Sequence, residues 1–78
     1  MSLKNFLLEE ALIAKSEMSK HDSTYWHECE YHGSYYEICI TRENGISVVA
    51  YPMHWLDDIL VTDLSVWFEI NDELLTGN

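Results

Sequence analysis

Apolar positions along this chain follow two different periods, one before residue 20 and another after it. Leu3, Phe6, Leu7, Ala11, Ala14 and Met18 recur at spacings of three and four, while Asn5, Glu9, Ser16 and Lys20 fall between them. That spacing puts the apolar side chains on one side of a helix, and Ser2 just ahead of them is a preferred N-cap residue. The pattern predicts an amphipathic helix over residues 3 to 19. Lys20, His21, Asp22 and Ser23 carry no apolar period and are rich in turn formers, so the helix stops there.

From Thr24 the period becomes two. Tyr25, His27, Cys29 and Tyr31 alternate with Trp26, Glu28, Glu30 and His32, the pattern of a strand with one buried face. Gly33 and Ser34 read as a turn, and Tyr35 to Thr41 alternates again. Asn44 followed by Gly45 is the strongest short hairpin signal, because a type I′ turn needs positive φ at both central residues. Ile46 to Tyr51 makes a third strand, and Pro52 ends it by removing a backbone donor.

Beyond Pro52, the positions Trp55, Leu56, Ile59, Leu60, Leu64, Trp67, Phe68, Leu74 and Leu75 return to spacings of three and four. With Thr62 and Asp63 as a cap, this predicts a short helix over residues 53 to 60 and a longer one over 63 to 75. A rival reading is a fourth strand, since Leu64, Val66, Phe68 and Ile70 also alternate with Ser65, Trp67, Glu69 and Asn71. The expected architecture is α+β: an N-terminal helix, a three-stranded antiparallel sheet with two consecutive hairpin turns, and a C-terminal helix or helix pair packed on one face. In that arrangement Trp67 belongs to the core, and Trp67→Ala costs about 3 to 5 kcal/mol. Seventy-eight residues suffice for one core, so a single domain over residues 1 to 78 is expected.

A two-residue loop at Gly33 and Ser34 sets Tyr31 opposite Tyr36, Glu30 opposite Glu37, Cys29 opposite Ile38 and His27 opposite Ile40. A two-residue loop at Asn44 and Gly45 then sets Ile40 opposite Val49 and Ile38 opposite Tyr51, extending the same apolar face. The other face gathers Trp26, Glu28, Glu30, His32, Tyr35 and Glu37. A three-residue first turn would instead bring Cys29 opposite Cys39, which leaves a disulfide open, although two cysteines without a C-x-x-C spacing read first as buried free thiols.

Charge adds a direction to this picture. The chain has 4 Lys and Arg against 14 Asp and Glu, a formal net charge of -10. Its first twenty residues are neutral, so the whole excess follows them, where Arg42 is the only cation among eleven acids. Hydrophobic residues at 47% are too many for a disordered acidic tail. Direct binding to nucleic acid or anionic lipid needs a cationic face that four scattered cations do not make. No apolar run reaches a membrane span and no signal peptide opens the chain, which gives a cytoplasmic expectation.

His27, Cys29, His32 and Cys39 are the right residue types for zinc, but their alternation divides them between two faces and no paired-ligand spacing occurs. Three glycines are too few for a phosphate loop once two are taken by turns. Glu30, His32 and Ser34 lack evident oxyanion donors for a triad, and no EF-hand pattern is present. The expectation is a protein without catalytic residues, metal or cofactor.

What remains is a contact surface. Trp26, Glu28, Glu30, Tyr35 and Glu37 on the sheet, with Asp57, Asp58, Asp72 and Glu73 near the C-terminus, combine aromatic anchors with steering charge for a basic partner. Anti-CRISPR proteins, anti-restriction DNA mimics and nuclease immunity proteins are similar in size, charge and build, a likeness of composition that no motif carries. The function this implies is an inhibitor that occupies the basic groove of a nucleic-acid-binding protein or nuclease complex. The alternative is an antitoxin-like interaction module, possibly a homodimer, that binds through aromatic residues such as Trp55, Trp67 and Phe68.

Overall fold

Ser2 starts the helix as a cap should: its hydroxyl accepts from the Asn5 backbone N–H at 3.2 Å and its carbonyl from that of Phe6 at 3.0 Å. In the computed structural model, which describes residues 2–43 and 45–70, helix α1 runs Leu3–Glu17. Met18 closes it in extended conformation, its N–H bonded to the Ala14 carbonyl at 3.0 Å. Five strands follow: β1 Thr24–Tyr31, β2 Ser34–Arg42, β3 Ile46–Leu56, β4 Ile59–Thr62 and β5 Phe68–Glu69. They form one curled antiparallel sheet in the order β1-β2-β3-β4, with β5 on β3 beside β4.

Helix α1 lies on one face of this sheet. Leu7, Ala11, Ala14 and Met18 pack with Cys29, Ile38, Ile40, Val48, Ala50 and Ile70 to make the core. Leu7, Ile38, Ile40 and Val48 are its largest fully buried side chains, each removing about 1.5–3 kcal/mol of apolar surface from water. Arg42 ties the end of β2 to the turn after the helix, donating to the Ser19 carbonyl at 3.4 Å.

The first hairpin differs from the sequence expectation by two residues. Its loop is His32–Gly33, with φ of 50° and 83°, and Tyr31 pairs with Ser34. This places glycine at the second central position of a type I′ turn, where positive φ is free of cost, and histidine tolerates the first. A shift of two keeps every side chain on its face but changes its partner: Glu28 stands opposite Glu37, Glu30 opposite Tyr35, and Cys29 opposite Tyr36. Cys29 and Cys39 are free, and their odd–even placement against this register puts them on opposite faces.

The second hairpin differs by one, and the consequence is larger. Arg42 pairs with Ile46, so three residues close the loop, with Gly45 at a φ of 98° in the position that such a loop ends on. Asn44 lies outside the described residues. Ile40 therefore faces Val48 and Ile38 faces Ala50, and both partners are fully buried. Val49 and Tyr51, expected in the core, are turned to the other face, as a one-residue slip requires.

The C-terminal helices are absent from the described residues, which corrects the expected fold. Strand β3 continues through Pro52 to Leu56, turns at Asp57–Asp58, and returns as β4. The Pro52 carbonyl accepts from Asp63 N–H at 2.8 Å on the β4 side, and a strand residue points its nitrogen and carbonyl the same way. The missing N–H thus faces away from β2, so the proline interrupts no β2–β3 bond. Asp63 caps a turn in place of a helix, its carboxylate accepting from Ser65 N–H at 3.0 Å. Of the rival fourth-strand reading, Phe68–Glu69 survives as β5, while residues 71 to 75 of the longer helix lie outside the described residues.

Candidate functional site

With α1 on one face, the opposite face of the sheet is open. Alternation along β1 and β2 directs Trp26, Glu28, Glu30, Tyr35 and Glu37 to it, and the flipped register of β3 adds Val49, Tyr51, Met53 and Trp55. Trp26 remains 50% exposed and Trp55 60%, large aromatic areas left in water. Their rings are organised in pairs across strands. Trp26 and Tyr51 have centroids 6.3 Å apart, and Tyr35 meets Trp55 edge-on at 6.5 Å.

Neutral hydroxyls orient the carboxylates between these rings. Tyr35 donates to its cross-strand partner Glu30, and that bond, together with the Glu30 charge, raises the Tyr35 pKa above the ordinary phenol value. Thr62 on β4 donates to Glu37 Oε1 at 3.1 Å, so the Glu37 side chain reaches over the intervening β3. A hydroxyl fixes a carboxylate without cancelling its charge. Glu28 and Glu37 stand directly opposed, an arrangement that costs some sheet stability and concentrates negative potential.

None of the four Lys and Arg residues shares this face. Lys4 and Lys15 are on α1, Lys20 follows it, and Arg42 reaches Ser19 beneath the sheet. The helix side pairs its cations with acids of its own, Glu9, Glu10 and Glu17 on α1, whereas the open side carries carboxylates with no cation among them.

The loop joining β4 to β5 folds over one end of the open face. Asp63 shapes it through Ser65, whose hydroxyl and N–H hold the Asp63 carboxyl below the ordinary carboxylate range, helped by the nearby His54. The loop carries Leu64 and Trp67 against Val49 and Tyr51, and these four residues line a cavity of about 360 Å³. Trp67 is 52% exposed, so it is a wall of the open face and does not belong to the core.

Of the residues singled out from sequence, Trp26, Glu28, Glu30, Tyr35 and Glu37 are brought together on this face. His32, expected beside them, forms the hairpin turn. Asp57 and Asp58 form the exposed two-residue turn at the β3–β4 tip, with φ of 51° and 65°, away from the five sheet residues. Asp72 and Glu73 lie outside the described residues. The sequence reading left Tyr51 in the core, and it offered Trp55 and Trp67 as contact residues only in the alternative of an aromatic interaction module, the expected fold placing Trp67 in the core. Tyr51 was recoverable had the asparagine–glycine loop been read as three residues long.

The face offers little for covalent chemistry. Cys39 is its one thiol, and partial burial, with Glu37 nearby, raises its pKa despite the opposing Thr41 contact, keeping it protonated at neutral pH. Among the described residues no group of three His, Cys, Asp or Glu is placed to hold a metal ion, and no helix is long and apolar enough to cross a membrane. No family, curated protein or solved structure matches the chain.

Proposed function

We propose that this chain is a cytoplasmic, non-catalytic binding protein whose open sheet face docks on a cationic protein surface and blocks it. The groove of a nucleic-acid-binding protein or nuclease complex is the surface that fits, because it is built to receive closely spaced negative charge. One observation carries the reading: every Lys and Arg lies off the face that carries Trp26, Glu28, Glu30, Tyr35, Glu37 and Tyr51. Aromatic rings supply rigid contact area, and carboxylates held by hydroxyls supply a field that speeds encounter and loses strength in salt. Two free thiols suit a reducing compartment.

The test is capture from host lysate by the immobilised protein, compared with a variant carrying Glu28→Lys and Glu37→Lys. The reading expects a basic nucleic-acid-handling protein retained at low salt, released at high salt, and absent with the folded double variant. Equal capture by the variant overturns it. A second reading has its own observation: at the β3–β4 tip Trp55, Leu56 and Ile59 are 60%, 59% and 63% exposed. An apolar interface built there, with a partner or a second copy, would resist salt and ignore the charge reversal.

A further inference from the structure

The cavity beneath the β4–β5 loop has a composition that selects among cations. Val49 and Tyr51 form its floor on β3, and Leu64 and Trp67 its wall. Tyr51 is the direct cross-strand partner of Glu37. Glu37 extends over β3 toward Thr62, and that bond occupies only Oε1 of a carboxylate with further acceptor sites. Val49 stands opposite Glu69 on the other side. The Trp26 ring lies 6.3 Å from that of Tyr51. An apolar slot with aromatic walls and an acid on either flank is poorly matched to a bare ammonium, which keeps its hydration. It matches a planar, weakly hydrated guanidinium, which stacks on rings while its fork reaches carboxylate oxygens.

We infer that this cavity is an arginine pocket: it receives one arginine side chain of a basic partner, the stem against Val49 and Leu64 and the guanidinium between Trp67, Tyr51 and Glu37. The inference rests on the reading of the open face as the contact surface, and it converts a general charge attraction into a preference for one residue type. Lysine has equal charge but gains neither the stacking nor the paired hydrogen bonds.

The experiment titrates the protein with hexa-arginine and hexa-lysine peptides at equal ionic strength, following tryptophan fluorescence and calorimetric heat. The pocket gives hexa-arginine an affinity about 5- to 10-fold above hexa-lysine, from cation–π contact with two rings. Trp67→Leu, and independently Tyr51→Leu, abolish that preference while leaving hexa-lysine binding in place. Two variants are used so that a folding defect in one, checked by circular dichroism, does not decide the result. If both peptides bind equally and neither substitution changes the ratio, the arginine pocket is wrong and the acidic face stands. If neither peptide binds, both readings fail.

Discussion

The two faces of the sheet are made from the same alternating strands, yet they solve opposite problems. The helix-side face uses Ile38, Ile40, Val48 and Ala50, all fully buried, with Ala11 and Ala14 letting α1 come close. The open face carries larger side chains, Trp26, Tyr35, Tyr51 and Trp55, and leaves the two tryptophans half in water or more. A chain selected only for stability would bury its tryptophans under the helix. Phe6, Tyr25 and Tyr36 pack at the margin of the core, while Trp26 and Trp55 are left on the other face, which indicates that the core is sufficient without the tryptophans and that they serve contact.

That contrast breaks if the two faces respond alike to truncation. Ile38→Ala removes a fully buried side chain from the centre of β2 and is expected to cost about 2–5 kcal/mol, a large part of the stability of so small a fold. Trp67→Ala, although it deletes a larger side chain, is expected to cost about 1–2 kcal/mol, because half of it is already in water and its cavity is open to solvent. Urea titration of both variants measures the difference. Equal costs would place Trp67 in the structural core and remove the reason for treating the open face as a contact surface.

How much of this was legible in the sequence depended on what each residue had to decide. Helix α1 was legible because its cap and its apolar spacing agree, and only its last turn was misjudged. The faces of β1 and β2 were also legible, since moving the turn from Gly33–Ser34 to His32–Gly33 shifts partners by two and preserves parity. Strand β3 was not, because one further loop residue exchanges its faces and the dipeptide Asn44–Gly45 is compatible with both loop lengths. The C-terminal third misled for a geometric reason. A two-residue hairpin loop flanked by two apolar residues on each side, Trp55–Leu56 and Ile59–Leu60, leaves Leu56 and Ile59 three apart and Trp55 and Ile59, or Leu56 and Leu60, four apart, and such spacings imitate one side of a helix. Asp63 compounded this, for the same carboxylate-to-backbone bond serves a helix cap and a turn. The candidate site was half legible: its β1 and β2 residues followed from alternation, while Tyr51, Trp55 and Trp67 depended on registers that only the folded chain displays.

Each face also holds one cysteine, which gives a comparison by pH. Cys29, on the helix side, is pushed up to about 11, first by burial and then by the Glu10 carboxylate. A thiol whose folded pKa is raised favours folding fully below its unfolded value near 9, and that contribution is lost as pH climbs toward 11. Tyr35 acts in the same direction at somewhat higher pH, because its neutral hydroxyl is the form that bonds Glu30. The expected result is a fall in urea midpoint from about pH 9 upward, with a shallower fall in Cys29→Val. An identical slope in the variant would assign the alkaline loss to Tyr35 and Cys39 of the open face instead.

The smallest expected effect concerns the two-residue turn that joins β3 to β4. Both central residues of the β3–β4 loop, Asp57 and Asp58, hold positive φ, whereas the His32–Gly33 loop has glycine second. Left-handed backbone costs an L-residue up to about 1–2 kcal/mol, less for aspartate, and glycine regains part of that after its own greater entropy loss on folding. Asp58→Gly is therefore expected to raise stability by about 0.5 kcal/mol, while Asp58→Ala lowers it, since alanine keeps the strain and loses the local bonding of aspartate. Both substitutions remove the same negative charge from beside Asp57. If thermal melts show glycine and alanine stabilising equally, charge repulsion at the tip is the governing force, and the turn places no conformational demand on residue 58. Opposite signs would show that backbone geometry governs the turn that pairs Leu56 with Ile59.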